Sequence, residues 1–68
     1  MKYVLIEVIE REISTPEFFD TFEAARKEMA NRYGEADPYN DYDGLYRDHA
    51  YCTNRNHDNC DWKIFELK

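Results

Sequence analysis

Residues 50–68 constrain the fold more than any other stretch of this chain. They read Ala-Tyr-Cys-Thr-Asn, then Arg-Asn-His-Asp-Asn, then Cys-Asp-Trp-Lys-Ile-Phe-Glu-Leu-Lys. This is strand, polar turn, strand. Directly opposed residues of an antiparallel pair share a face. With Cys52 opposite Cys60, one face carries Ala50, Cys52, Cys60, Trp62 and Ile64. The other carries His49, Tyr51, Thr53, Asp61, Lys63 and Phe65. The first set is apolar and the second mixed, and a one-residue slip would exchange the faces of one strand. The slipped register, with Tyr51 buried, stays open as an alternative. The Asn- and Asp-rich turn tolerates left-handed backbone and bonds its own main chain.

The rest of the chain must complete a core around that hairpin. Sixty-eight residues suit one domain, 1–68. So short a chain buries only about 60% of its unfolded surface. Six Tyr, four Phe and one Trp supply large buried rings in compensation. A deep enclosed active site is not expected in so small a body. No apolar run reaches the ~20 residues that a membrane span needs. No basic-then-apolar leader is read, because Glu7 interrupts the early apolar run. The expected location is cytosolic.

Residues 2–13 predict the first strand, with Val4, Ile6 and Val8 on one face and Tyr3, Leu5, Glu7, Ile9 and Arg11 on the other. Glu7, Glu10 and Glu12 are assigned to its solvated side and end. Ser14-Thr15-Pro16 breaks the strand. Phe18 and Phe19 then plug an end of the core or form a small binding patch. A helix is expected over 21–33, with Asp20 and Glu23 as a capping box. Phe22, Ala25, Met29 and Tyr33 form its apolar stripe, and Gly34 is placed to end it in left-handed geometry. The expected fold is α+β, in the order β-α-β-β. A three-stranded antiparallel sheet, order 2-3-1, has the Trp62 strand at its centre and one helix packed on one face. Leu5, Ile9, Phe65 and Leu67 are expected on the opposite, open face, a second candidate interaction surface.

Fifteen acidic residues against nine basic ones give a formal net charge of −6. That argues against direct nucleic-acid binding, which needs clustered Lys and Arg. It permits binding to a basic protein surface, and it also serves solubility alone.

Four soft donors fall within twelve residues, as His49-x-x-Cys52 and His57-x-x-Cys60. Zinc takes four such ligands. On a strand, however, residues three apart point to opposite faces, so the site requires irregular backbone. A cross-strand Cys52–Cys60 disulfide is a further alternative, which a reducing cytosol disfavours. The plainer reading is two buried thiols acting as small hydrophobes. A calcium loop counted back from Gly44 fails, since Tyr39 and Ala50 occupy its first and twelfth positions. No nucleophile stands beside an obvious base, and no phosphate-binding glycine motif occurs. Neither an enzyme nor a cofactor is expected.

Asn56-His57-Asp58-Asn59, followed by Asp61-Trp62-Lys63-Ile64-Phe65, resembles a loose group of small proteins carried by phages and integrative elements of Firmicutes. The Phe19-Asp20-Thr21-Phe22-Glu23 helix start and a short first strand are similar too. These motifs are structural: a cap, a turn and a core strand. The resemblance implies a mobile-element setting, in which small acidic proteins block host defence nucleases, as anti-CRISPR proteins do. It carries no catalytic residue to transfer.

The segment 35–48 is the candidate contact surface. Its acidic groups are Glu35, Asp37, Asp41, Asp43 and Asp48, and its anchors are Tyr39, Tyr42 and Tyr46. Arg47 is its one basic residue. Crowded carboxylates repel one another, and folding alone gives no reason to gather them. Tyrosine is enriched at interfaces. The expectation is a binding protein that offers this segment to the basic surface of a nucleic-acid-handling protein. A structural, self-associating module is the alternative, and a small zinc-stabilised domain the second.

Overall fold

The computed structural model describes residues 2–39 and 42–68. Among them the chain is α+β, with one helix against an antiparallel sheet of five strands. The strands are β1 (Tyr3–Ile9), β2 (Glu12–Ile13), β3 (Glu17–Phe19), β4 (His49–Thr53) and β5 (Asn59–Glu66). Helix α1 spans Phe22–Ala36. The sheet order is β2-β1-β5-β4, with β3 also pairing β1. The expected three strands are therefore five. Residues 2–13 do not form one strand, because the chain turns at Glu10 and Arg11, both at positive φ, and β2 folds back on β1. Residues around Phe18 are not a plain connector but pair with Tyr3, Val4 and Leu5.

The hairpin register is Cys52 opposite Cys60 and Ala50 opposite Trp62. Its apolar face meets the helix, where Ala25, Met29 and Tyr33 are buried. Leu5, Cys60, Trp62 and Ile64 complete this core.

The helix ends differ from expectation. Thr21, not Asp20, is the N-cap, and its Oγ1 accepts from the Ala24 amide at 3.1 Å. The helix runs through Gly34, which does not have positive φ, to a cap at Asp37. Gly34 instead leaves room for a ring: an added Cβ would lie 3.2 Å from the Tyr42 hydroxyl.

The faces of β1 are exchanged relative to expectation. Leu5 stands opposite Ile64, Glu7 opposite Trp62 and Ile9 opposite Cys60. These odd-numbered residues therefore share the helix side, and Leu5 is fully buried. Leu5 and Ile9 are not on the open face. That face carries Val4, Ile6 and Val8, flanked by Phe65, Phe18 and Ile13. Glu7 is likewise not on a solvated side. It accepts from Trp62 Nε1 at 2.8 Å and from the Ser14 hydroxyl at 3.0 Å. Arg32 completes the cluster, bonding Glu28 and Glu17 and lying 3.7 Å from Glu7. Burial works to lower the Arg32 pKa, but the Glu28 hydrogen bond and the charges of Glu7, Glu17 and Glu28 outweigh it and raise it.

Among the described residues, no helix is long and apolar enough to cross a membrane.

Candidate functional site: an acidic, tyrosine-bearing loop

The candidate segment begins inside the helix. Glu35 lies exposed in the last turn of α1. Asp37 then closes the helix, its backbone N–H donating to the Tyr33 carbonyl at 2.8 Å. Its carboxylate has a task that spacing did not foretell. Oδ1 accepts from the Tyr39 amide at 3.1 Å and Oδ2 from the Tyr42 amide at 3.4 Å. Short acidic side chains commonly bond main-chain amides a few residues on, which fixes a turn. Asp37 is 5% exposed. It is a brace within the loop rather than a charge held out to a partner.

The far side of the loop is wired to the core. Tyr33 packs edge-on against Trp62 at 6.0 Å, and its hydroxyl accepts from the Gly44 amide at 2.8 Å. The Gly44 carbonyl accepts from the Tyr51 amide at 3.0 Å, and the Tyr46 amide donates to the His49 carbonyl at 2.9 Å. These two bonds lay the loop along the outer edge of β4. The approach is close: a Cβ on Gly44 would stand 2.0 Å from the Tyr51 carbonyl oxygen. Glycine is required here for clearance.

What the brace presents is aromatic and acidic. Tyr39 is 81% exposed, and Tyr42 and Tyr46 are about half exposed. Asp43 is exposed. Tyr39, Asp43, Gly44 and Tyr51 line one open depression, floored by Tyr33 and Asp37. Further along, Tyr46 stacks on His49 at 4.8 Å and on Tyr51 at 5.9 Å, with the two tyrosine hydroxyls 3.4 Å apart. That hydrogen bond to Tyr51 is the main cause of a raised Tyr46 pKa. Asp41 lies outside the described residues.

Asp48 sits apart from this group. Its Oδ1 is 2.8 Å from His49 Nδ1, and its Oδ2 accepts from Lys63 Nζ at 3.1 Å. These bonds, His49 first and Lys63 second, lower its pKa to about 2. Among the described residues Arg47 makes no ion pair with an acid. Its guanidinium lies over the Phe22 ring, 4.5 Å from the centroid. The segment 35–48 carries five acids against one base, a formal negative charge. The structure adds Tyr51 and His49 to the aromatic row. The hairpin register already placed both on the outward face of β4, and that was the signal for them.

The four soft donors do not converge. His49 points to the open face beside Asp48, while Cys52 and Cys60 face the helix side. His57 sits in the turn at φ 66°, where Asn54 Oδ1 accepts from the Asn56 and Asp58 amides. Among the described residues, no group of three or more His, Cys, Asp or Glu side chains is placed to hold a metal ion. Both cysteines are free thiols. Burial pushes the Cys52 thiol up to about 11 and raises that of Cys60. Comparison with protein-family models, with curated proteins and with solved structures finds no match in any of the three.

Proposed function

We propose that this chain is a small, non-enzymatic binding protein that uses its acidic tyrosine loop to occupy a basic, nucleic-acid-binding surface of a protein partner. One observation carries the reading: Tyr39 is 81% exposed, while its own amide is held by the buried Asp37 carboxylate and the Gly44 amide further on by the Tyr33 hydroxyl. A loop that merely connected α1 to β4 would gain nothing from an exposed ring. A braced loop loses less conformational entropy on binding than a mobile one, so more of the contact energy remains as affinity. Glu35 and Asp43 supply exposed negative charge beside the rings. A negative patch speeds encounter with a basic partner and selects against acidic ones. The resemblance to proteins of Firmicutes mobile elements makes a host defence nuclease the natural partner, with inhibition by occupancy as the mechanism.

The test uses the variant Glu35→Gln, Tyr39→Ser, Asp43→Asn, three exposed changes that leave the Asp37 and Tyr33 braces intact. Wild-type chain is used to capture basic proteins from a Firmicutes lysate at low and high salt. Each captured protein is then assayed for nucleic-acid binding with and without the chain. The expected result is salt-sensitive capture, competition with nucleic acid, and loss of both in the triple variant. Equal competition by the triple variant would remove the loop as the site.

A further inference from the structure

We propose that Cys52 and Cys60 are a reversible redox pair, closing to a disulfide across the β4–β5 hairpin under oxidation and reopening to two thiols in a reducing pool. The two residues are direct partners in the hairpin register. Cys60 is fully buried and Cys52 half-buried. Burial raises the pKa of each sulfur, and at each the next influence is the opposite thiol. The side chains as well as the backbones are neighbours.

The register decides what kind of bond they can make. The Ile64 amide donates to the Asp48 carbonyl at 2.8 Å, and the Asn54 amide to the Asp58 carbonyl at 3.0 Å. Hydrogen-bonded pairs alternate along an antiparallel ladder, so Cys52 and Cys60 belong to the same series. The Cα atoms of such a pair stand about 5.5 Å apart, within the roughly 4.4–6.8 Å that a disulfide spans. Their Cβ atoms are wider apart than in a non-hydrogen-bonded pair, whereas a disulfide takes about 3.5–4.5 Å. The bond can form, but it must draw the strands together locally. Strained disulfides are the readily reduced ones, which suits a switch and not a permanent staple.

A small disulfide is the oxidant. Cys52, the accessible sulfur, lines the open depression with Tyr33, Asp37 and Gly44. Its thiolate attacks the small disulfide, which releases one thiol and leaves its other half bonded to Cys52. Cys60 then gives up its proton, and its sulfur displaces that second half as another thiol. Two S–H bonds of the chain become one S–S bond, and the two electrons and two protons leave on the two small thiols. The second step joins groups already side by side, which favours it over a second external attack. Burial holds both thiols protonated at neutral pH, so closure is slow and answers sustained oxidation. Closure also reaches the acidic loop. Cys52 follows Tyr51, whose amide donates to the Gly44 carbonyl at 3.0 Å, and drawing β4 toward β5 pulls on that bond.

The experiment equilibrates the reduced wild-type chain with buffers of reduced and oxidised glutathione, quenches in acid, and reads intact mass and a non-reducing peptide map. The expected product is a monomer lighter by two hydrogens, linked Cys52 to Cys60, with altered amide exchange at Tyr51. Excess reduced glutathione should reopen it. Cys52→Ser should keep the wild-type circular dichroism and leave the buried Cys60 thiol unmodified. Thiols that stay free in oxidised glutathione alone would overturn the proposal. So would a glutathione adduct that persists on Cys52, a link between two chains, or Tyr51 exchange identical in the two forms. A bridge that excess reduced glutathione leaves closed, or glutathione added to Cys60 in folded Cys52→Ser, would overturn it equally.

Discussion

Glu7 and Trp62 stand directly opposite one another on β1 and β5, and the indole Nε1–H donates to Glu7 Oε1 at 2.8 Å. The carboxylate lies on the helix side of the sheet with only 17% of its side chain exposed. It belongs there because the indole N–H, the Ser14 hydroxyl and the nearby Arg32 guanidinium answer it. A buried polar group is tolerable when its hydrogen bonds are made. The pair therefore lets a charged residue sit in a β1 face that is otherwise core.

Removing this acceptor is expected to be expensive. Glu7→Ala leaves the Trp62 N–H without its partner and Arg32 short of one carboxylate, a cost of about 1–3 kcal/mol. For a domain of this size each kcal/mol lowers Tm by about 4–8 °C. Glu7→Gln keeps an oxygen for the indole and should lose less. Thermal melts of both variants check this, and a Glu7→Ala melt within 2 °C of wild type would show that the pair contributes little.

The two glycines should respond in opposite directions to alanine. At Gly44 the new Cβ meets the Tyr51 backbone oxygen at 2.0 Å, so the edge contact must open. Overpacking of this kind costs about 1–3 kcal/mol. At Gly34 the new Cβ meets the end of the Tyr42 side chain at 3.2 Å, and that ring can swing. A helix-interior Gly→Ala change stabilises by up to about 1 kcal/mol, so Gly34→Ala should hold or raise Tm. Gly44→Ala should also loosen the loop, read as faster amide exchange at Tyr46 and Tyr51. If the two variants melted alike, the clearance argument for Gly44 would be wrong.

The β1–β2 turn stores removable strain. Glu10 and Arg11 have φ of 50° and 70°, a region that favours glycine. Glu10 is useful where it stands, since its carboxylate accepts from the Asn59 amide at 2.7 Å. Its own amide donates to the Asn59 carbonyl. Arg11 is the position to change. Arg11→Gly should stabilise by about 1 kcal/mol, offset in part by greater freedom of the unfolded chain. Arg11→Val should destabilise. Paired urea titrations at constant m would show the order, and Arg11→Gly less stable than wild type would count against left-handed strain there.

Asp48 gives the chain a pH-dependent contact. Its folded pKa, lowered to about 2 by the His49 hydrogen bond and then by Lys63, lies below its ordinary value of 3.8. A depressed carboxylate contributes stability that is fully present above the unfolded pKa. That contribution is lost as pH falls through the folded value. Wild type should therefore be more stable than Asp48→Asn at pH 6, and the difference should shrink between pH 4 and pH 2. The group is partly exposed, so the effect should be small and weakened by salt. Melts of the two proteins from pH 2 to pH 6 at low salt measure it. A difference that grows on acidification would contradict the sign.

The hairpin of β4 and β5 was legible because its two strands each have one apolar and one mixed face, and a single register brings the apolar faces together. The stripe of Ala25, Met29 and Tyr33 was legible for the same reason at helical spacing. In β1 both faces are apolar: Leu5 and Ile9 on one, Val4, Ile6 and Val8 on the other. Periodicity has no preference there, and the charge of Glu7 argues for the wrong one. Only pairing with β5, which sets Glu7 against Trp62, decided which side turned inward. The loop follows the same division. Spacing could gather Asp37, Tyr39, Tyr42 and Tyr46 into one acidic, aromatic segment. It could not tell the Asp37 carboxylate, enclosed by amides, from the exposed Asp43, because that difference arises where the chain bends back on itself. Residue spacing along the chain establishes which side chains can share a face. The tertiary structure decided which face is buried, because burial depends on partners distant in the chain.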